Sequence, residues 1–441
     1  MFGKDIYWYG VQAISLLKSG KLHSPDNSPV FHIVALLFRM FGVSDGTLFI
    51  FQTLTSIWLI TSFFFARYLV FSGKDNPQQR FNFLPSILVF VLGFLYPKQS
   101  WALGFLALSF GFYSTTATNK KPSLALAKIS FFSSSLFQWV VSGILFLVAL
   151  WFHPMVALLG LGVFILYQIP EKFYLFIFCF GFFLPFLLPE DPSGRFYSEK
   201  ENFPLVAAFA LAGPCILWDW TFLVFGSSPP KFRRMRKALA FFGFLLLFPV
   251  FHFADIQYRI LLSLILLNQI YIQWNILQIL VWMVSSGLWI FTIFINPNQF
   301  RYSYEEMWIP GESMASVPNN GLLVAHHGFC EYYHFQFNKD CLSFEPDAKA
   351  ISELPKDTEI YRAVYGIRYE NLLSSKDENK KPIFSFIKPL GDYQLVREQD
   401  WKKYRLSLEK RNSKLLLVAK SWKNPYKERP DFIKRKHTNG L

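Results

Sequence analysis

Apolar residues run in long blocks through the first two-thirds of the chain, at 47–71, 83–96, 101–113, 131–152, 155–169, 173–188, 205–225, 238–253, 260–274 and 276–295. A helix of about 20 apolar residues, rising about 1.5 Å each, covers the roughly 30 Å of a bilayer's hydrocarbon core. The pattern therefore predicts about ten transmembrane helices. The second and third blocks are short and also fit a re-entrant hairpin, which a bundle tolerates where it lines a polar cavity. Ahead of the first block, two shorter stretches have a one-sided pattern. Over 5–17, Ile6, Tyr9, Ala13, Leu16 and Leu17 share one helical face, and Gly20 can close the helix. After a polar loop, Pro29 opens a second helix with Val30, Ile33, Val34, Leu37, Phe38 and Phe41 on one face, and Gly42 ends it. Both are too short to span a bilayer and read as interfacial helices.

The texture changes at Asn296-Pro297-Asn298. Short β-like runs follow at 322–325 and 359–361, then a helical pattern near 398–409, and a basic, Pro-containing tail occupies 424–441. The expected fold is an all-α polytopic membrane bundle, with two interfacial helices in front and a small C-terminal α/β soluble domain behind. Its expected divisions are 1–46 for the interfacial segment, 47–295 for the bundle, and 296–441 for the soluble domain with its basic tail.

Composition agrees with that division. Hydrophobic residues make up 52% of the chain and charged residues 17%, against about 25% charged in ordinary soluble domains. The formal net charge of +14 would point to nucleic acid in a soluble protein. Here the cations lie mainly in connecting loops and in the tail, so the lipid bilayer is the expected partner and nucleic acid is not. Lys74, Arg80, Lys120, Lys121, Lys128, Lys172, Lys231, Arg233, Arg234, Arg236 and Lys237 fall in one set of loops, eleven cations in all, against Lys98, Arg195, Lys200 and Arg259 in the other. Lys4, Lys18, Lys21 and Arg39 of the first segment add to the smaller set and narrow the margin to eleven against eight. The larger set is assigned to the cytoplasm. An even number of spans then puts the C-terminal domain outside it, with the chain in the cytoplasmic (inner) membrane. On this reading the block 231–237 is a topology anchor.

Cys179 and Cys215 lie in apolar runs and read as buried thiols, while Cys330 and Cys341 can pair if their surroundings are extracytoplasmic. Residues 1–10 lack an apolar core of secretory type. His326, His327, Cys330 and Glu331 lack the second ligand pair that a structural zinc site needs, so no metal ligands are assigned. No phosphate-cradling loop, Gly-x-Ser-x-Gly elbow or His-Glu-x-x-His helix occurs, which argues against an ATP-driven pump.

The first forty residues carry a more specific signal: Asp5-Ile6-Tyr7-Trp8-Tyr9, Ala13, Gly20, Ser28-Pro29-Val30-Phe31 and Leu37-Phe38-Arg39-Met40-Phe41-Gly42. This arrangement resembles the first extracytoplasmic loop of the C-superfamily integral-membrane glycosyltransferases, which include protein O-mannosyltransferases and lipid A aminoarabinose transferases. The resemblance implies transfer of a sugar from a polyprenyl-phosphate donor to an acceptor (glycolipid, glycan or protein) at the outer membrane face. It implies no organic cofactor, leaves a divalent metal open, and places a further membrane helix ahead of Asp5. Asp5 would be the catalytic carboxylate, taking the acceptor's proton as it attacks the anomeric carbon. Arg259 and Lys98 would neutralise the departing lipid phosphate, with His153 and Asp26 as further substrate-binding candidates.

The second carboxylate of many family members has no counterpart in Tyr96-Pro97-Lys98-Gln99-Ser100. Each candidate also has a plain structural role: Asp5 as a helix cap, Asp26 in an Asx turn, His153 at a helix end, Arg259 snorkelling to the interface. A non-catalytic, glycosyltransferase-like assembly partner is one alternative function. A transporter or lipid-handling protein is the other, and it would require ionisable groups at mid-membrane depth.

Overall fold

The computed structural model describes residues 6–23, 26–71, 87–116, 135–177, 218–219, 223–226, 228–246, 255–273, 275–295, 321–324, 329–337, 341–342, 359–365, 388–390 and 393–397. Much of the blocks at 173–188, 205–225 and 238–253 lies outside them. So do Asp5, Cys179, Cys215, the stretch 398–409 and the tail.

The described chain is mostly helical and divides into two units, one formed by residues 25–300 and the other by 1–24 together with 301–441. Among the described residues, the longer helices of the larger unit are α2 (Val30–Phe41), α3 (Asp45–Val70), α4 (Ile87–Leu95), α5 (Pro97–Thr116), α6 (Ser135–Phe152), α7 (Pro154–Gln168), α8 (Arg233–Leu246), α9 (Asp255–Gln269) and α10 (Ile276–Ile295). The smaller unit holds α1 (Ile6–Ser19) and α11 (Phe329–Phe337).

Local signals set the ends of these helices. Gly20 has φ 68° and Gly42 φ 80°, a region that only glycine enters at low cost, and their N–H groups donate to Leu16 O and Phe38 O at 2.9 Å. Ser44 caps α3 by accepting from Thr47 N at 3.2 Å. The core face of α2 is rotated slightly from the expected one. Val34, Leu37 and Phe38 are buried as expected, Phe31 and Ala35 join them, and Phe41 is 56% exposed. Blocks 83–96 and 101–113 become α4 and α5, which meet at Tyr96-Pro97.

Two helices, α3 and α6, are long and apolar enough to cross a membrane among the described residues. A third span results if α7 and the short helical segment Glu171–Ile177 that follows it, bent by 113°, count as one. The polarity of α6 is inverted relative to a helix in water. Leu136 (73% exposed), Val140, Ile144, Leu147 and Trp151 (64%) form its outer stripe, while Gln138 (4%) and Ser142 (7%) point inward. Ser142 Oγ donates to Ser109 O at 3.0 Å and Ser109 Oγ to Ser142 O at 2.9 Å, so hydroxyls join α5 to α6. On α3, Gln52, Thr55, Ser56 and Ser62 are buried while Phe49, Leu54 and Ile57 are exposed. A helix that turns hydroxyls inward and leucines outward suits a lipid solvent.

Small residues bring α3 and α5 close together: a Cβ on Gly111 would stand 2.9 Å from Ala66 Cα. Arg67, buried at the end of α3, donates through Nη1 to Gln269 O (3.2 Å), Ile270 O (3.5 Å) and Ile272 O (2.6 Å). It thereby gives a charged donor to carbonyls at the C-terminus of α9 and in the residues just after it.

In the smaller unit, strands β1 (Gly321–Val324), β2 (Cys341–Leu342), β3 (Glu359–Tyr365), β4 (Lys388–Leu390) and β5 (Tyr393–Arg397) form one sheet of order β2-β1-β3-β5-β4. β1 pairs in parallel with β2 and β3, and β5 is antiparallel to β3 and β4. Cys330 and Cys341 are joined in a disulfide that ties α11 to β2. Helix α1 packs on α11, with Tyr7 5.0 Å from Tyr332 and 5.4 Å from Phe335 between ring centroids. Tyr7, Gly10, Val11 and Gln12 are buried together with Ile6, Tyr9 and Ala13, so its burial is not confined to the face expected from the sequence.

A polar cavity at the ends of four helices

Residues far apart in sequence converge in the larger unit at the point where α6 passes into α7. Pro154 forces the break: it can occupy the first turn of α7 but cannot extend α6, so His153 is left in extended conformation between the two helices. The turn at Tyr96-Pro97 sets Lys98 and Gln99 in the first turn of α5, and Arg259 lies in the second turn of α9. Asp26 precedes α2. It accepts from Ser28 N at 3.0 Å through Oδ1, an Asx turn, and from Lys98 Nζ at 2.6 Å through Oδ2. Ser28 Oγ in turn donates to Phe152 O at 2.9 Å, which fastens this loop beside His153.

Gln99, His153, Met155, Arg259 and Ser263 are among the residues lining a cavity of about 200 Å³. Gln99 Nε2 donates to Ser263 Oγ at 2.8 Å and to Arg259 O at 3.0 Å, which couples α5 to α9. The Arg259 guanidinium lies 4.1 Å from the centroid of the Tyr96 ring, a cation–π contact that orients it. Two buried polar atoms of the wall, Gln99 Oε1 and His153 Nδ1, have no hydrogen-bond partner among the described residues. Such atoms are uncommon in a closed core and suit a site that takes up a polar group. Beside the cavity, Trp58 stacks on Trp101 at 5.0 Å and Trp101 on Phe152 at 5.9 Å.

The electrostatics favour an anion. Burial, followed by the nearby charges of Lys98 and Arg259, pulls the His153 imidazole down from 6.5 to about 4, against the opposing pull of Asp26. It is therefore neutral at pH 7. Lys98 and Arg259 against the one carboxylate of Asp26 leave one positive charge in excess among these four side chains. At about 200 Å³ the cavity is smaller than the roughly 300–1,000 Å³ of typical small-molecule sites, so it fits a compact head group.

Of the five residues singled out in the sequence, Asp26, Lys98, His153 and Arg259 come together here, while Asp5 lies outside the described residues. Gln99 and Ser263 escaped the sequence reading. Gln99 is a neutral amide in a loop without a carboxylate, and Ser263 follows Arg259 by one helical turn inside an apolar block. Asp219 escaped as well. It is buried, with Ser285 Oγ donating to one carboxylate oxygen and Trp289 Nε1 to the other at 2.9 Å, both from the middle of α10. No protein-family model, curated protein or solved structure matches the chain.

Proposed function

We propose that the chain is an integral membrane glycosyltransferase that moves a sugar from a polyprenyl-phosphate donor to an acceptor at the outer membrane face. The meeting of His153 and Arg259 on one cavity, with Lys98 close enough to act on the His153 charge, is the observation that carries this reading. Arg259 and Lys98 hold the phosphate by charge-assisted hydrogen bonds, and its negative charge offsets the local positive excess. His153 and Gln99 offer the polar atoms that direct the head group, and Asp26 holds Lys98 in place. Asp5 acts as the base: as the acceptor oxygen bonds to the anomeric carbon, the bond from that carbon to the phosphate oxygen breaks and the acceptor's proton passes to the carboxylate.

In this reading the larger unit is a bundle of about ten spans in the cytoplasmic membrane, and residues 296–441 include an extracytoplasmic α/β domain. The outward apolar stripes of α3 and α6 support the membrane assignment, and the Cys330–Cys341 disulfide supports an oxidising compartment. The test is transfer of label from a radiolabelled polyprenyl-phosphate sugar to membrane acceptors. Asp5→Asn, at matched expression, is expected to lower the rate about 10²–10⁴-fold. Transfer equal to wild type would remove Asp5 as the base.

One observation favours a second reading, that of a lipid-handling or transport protein: the Asp219 carboxylate is buried against mid-helix residues of α10. Under that reading Asp219→Asn abolishes substrate movement and Asp5→Asn leaves it intact.

A further inference from the structure

A second cavity, of about 460 Å³, opens at the other end of α7 from the first. Tyr174, Ser228, Arg233, Arg236, Lys237 and Ala240 are among the residues that line it. Its basic wall comes from the start of α8, where Arg233, Arg234, Arg236 and Lys237 crowd the first turns of one helix. Cations there oppose the helix dipole, so the arrangement costs stability unless negative charge lies close by.

The side chains divide the work. Arg234 leaves the cavity, donating to Gln168 O at 2.9 Å and lying over the Tyr167 ring at 5.5 Å. Arg236 is buried and held rigid, with Nε donating to Asn268 Oδ1 and Nη2 to Leu223 O, each at 2.8 Å, and Nη1 to Gly226 O. Lys237 is half exposed and pairs with Glu171. Three lining cations against this one bonded carboxylate leave a positive basin.

Val224 in the lining and the exposed neighbours of the lining residues in the chain give the basin its apolar rim. Phe173, Leu175 and Phe176 flank Tyr174 in the chain, and Phe225 lies between Val224 and Gly226. Phe176 is 71% exposed and Phe225 82%. A free phosphate ion has no use for such a rim, whereas a molecule with a charged phosphate and hydrocarbon chains matches both parts.

We propose that this cavity is a binding site for the phosphate head group of an anionic phospholipid, with the acyl chains lying along the apolar rim. Arg233 and Lys237 supply charged donors to the phosphate oxygens, Arg236 supplies fixed positive charge, and the Ser228 hydroxyl adds a neutral donor. The site is separate from the sugar-transfer cavity and stands whether or not that reading holds.

The test is native mass spectrometry of the full chain released from nanodiscs containing equal amounts of phosphatidylglycerol and phosphatidylcholine. Wild type is expected to retain phosphatidylglycerol selectively. The double variant Arg233→Gln/Lys237→Gln is expected to lower that retention about 30-fold, at roughly a factor of five per cation near a membrane surface. Ala240→Phe fills the cavity and leaves every charge in place, so it should also expel the lipid without disturbing the charge signal for topology. Retention unchanged in both variants overturns the proposal. So does loss in the double variant with full retention in Ala240→Phe, which would reduce the basic block to a diffuse topology signal. Displacement of the lipid by millimolar inorganic phosphate would make the site one for free phosphate and overturn the lipid assignment.

Discussion

Acidification should loosen the chain through His153, and the size of the effect follows from where that imidazole sits. Its ordinary value of 6.5 falls to about 4 in the folded chain, chiefly by burial and secondarily through Lys98 and Arg259. Between these values the unfolded chain binds a proton that the folded chain refuses. Stability from this group is therefore fully present above pH 6.5 and is lost as the pH falls toward about 4. The gap corresponds to about 3 kcal/mol, most of it gone by pH 4.5.

Replacing His153 by Gln removes the titration and keeps a polar side chain at the junction of α6 and α7. Denaturant unfolding in detergent micelles at pH 7.5 and pH 4.5, for both proteins, isolates the effect, because carboxylates elsewhere titrate equally in each. Wild type should lose about 2–3 kcal/mol more than the variant over this range. Lys98→Met in the wild-type background should raise the lower limit of the window, since one repelling charge has gone. Parallel losses in wild type and His153→Gln would refute the burial of His153 beside two cations.

Three further outcomes follow from packing and bonding. Gly111→Leu should destabilise the contact of α3 with α5 by at least about 1–3 kcal/mol, because even its Cβ meets the Ala66 backbone at 2.9 Å; thermal unfolding in detergent reads this directly. Asp219→Leu should cost about 1–3 kcal/mol for each of the Ser285 and Trp289 donors left without an acceptor, with Asp219→Asn costing less, as measured by denaturant midpoints. Reduction of Cys330–Cys341, whose partners are 11 residues apart in sequence, should remove about 2–3 kcal/mol from the smaller unit and speed its limited proteolysis.

Helix ends were legible in the sequence because single residues decide them. Gly20, Pro29, Gly42 and Pro154 each act through their own backbone, and each stands at an end of α1, α2, α6 or α7. Burial was less legible, since it depends on partners distant in the chain. The aromatic start of α1 reads as one face of an interfacial helix, yet Tyr332 and Phe335 lie against Tyr7. The strands β1 and β3 coincide with the short runs at 322–325 and 359–361, whereas β4 and β5 had no comparable apolar signal.

The candidate site was visible as a scatter of polar and charged residues at block ends, and the loop topology together with the family resemblance picked out Asp26, Lys98, His153 and Arg259. Their partners were hidden. Gln99 and Ser263 act through a backbone carbonyl and a hydroxyl that join two helices, and a one-dimensional pattern records no such pairing. Asp219 was masked by the tryptophans around it, which made its surroundings read as an ordinary apolar block.

The central claim is that the cavity between α5, α7 and α9 holds a lipid phosphate, and the most direct measurement is a titration of the full chain in phosphatidylcholine nanodiscs with a short-chain polyprenyl phosphate. Microscale thermophoresis would compare wild type with Arg259→Gln and Lys98→Gln. Each lost charge-assisted bond is worth about 1.5–3 kcal/mol, so each variant should bind about tenfold or more weakly. Inorganic phosphate should compete, since the head group alone occupies the cavity. Equal affinity in wild type and both variants would contradict the assignment of Arg259 and Lys98 to the phosphate, and with it the proposed site.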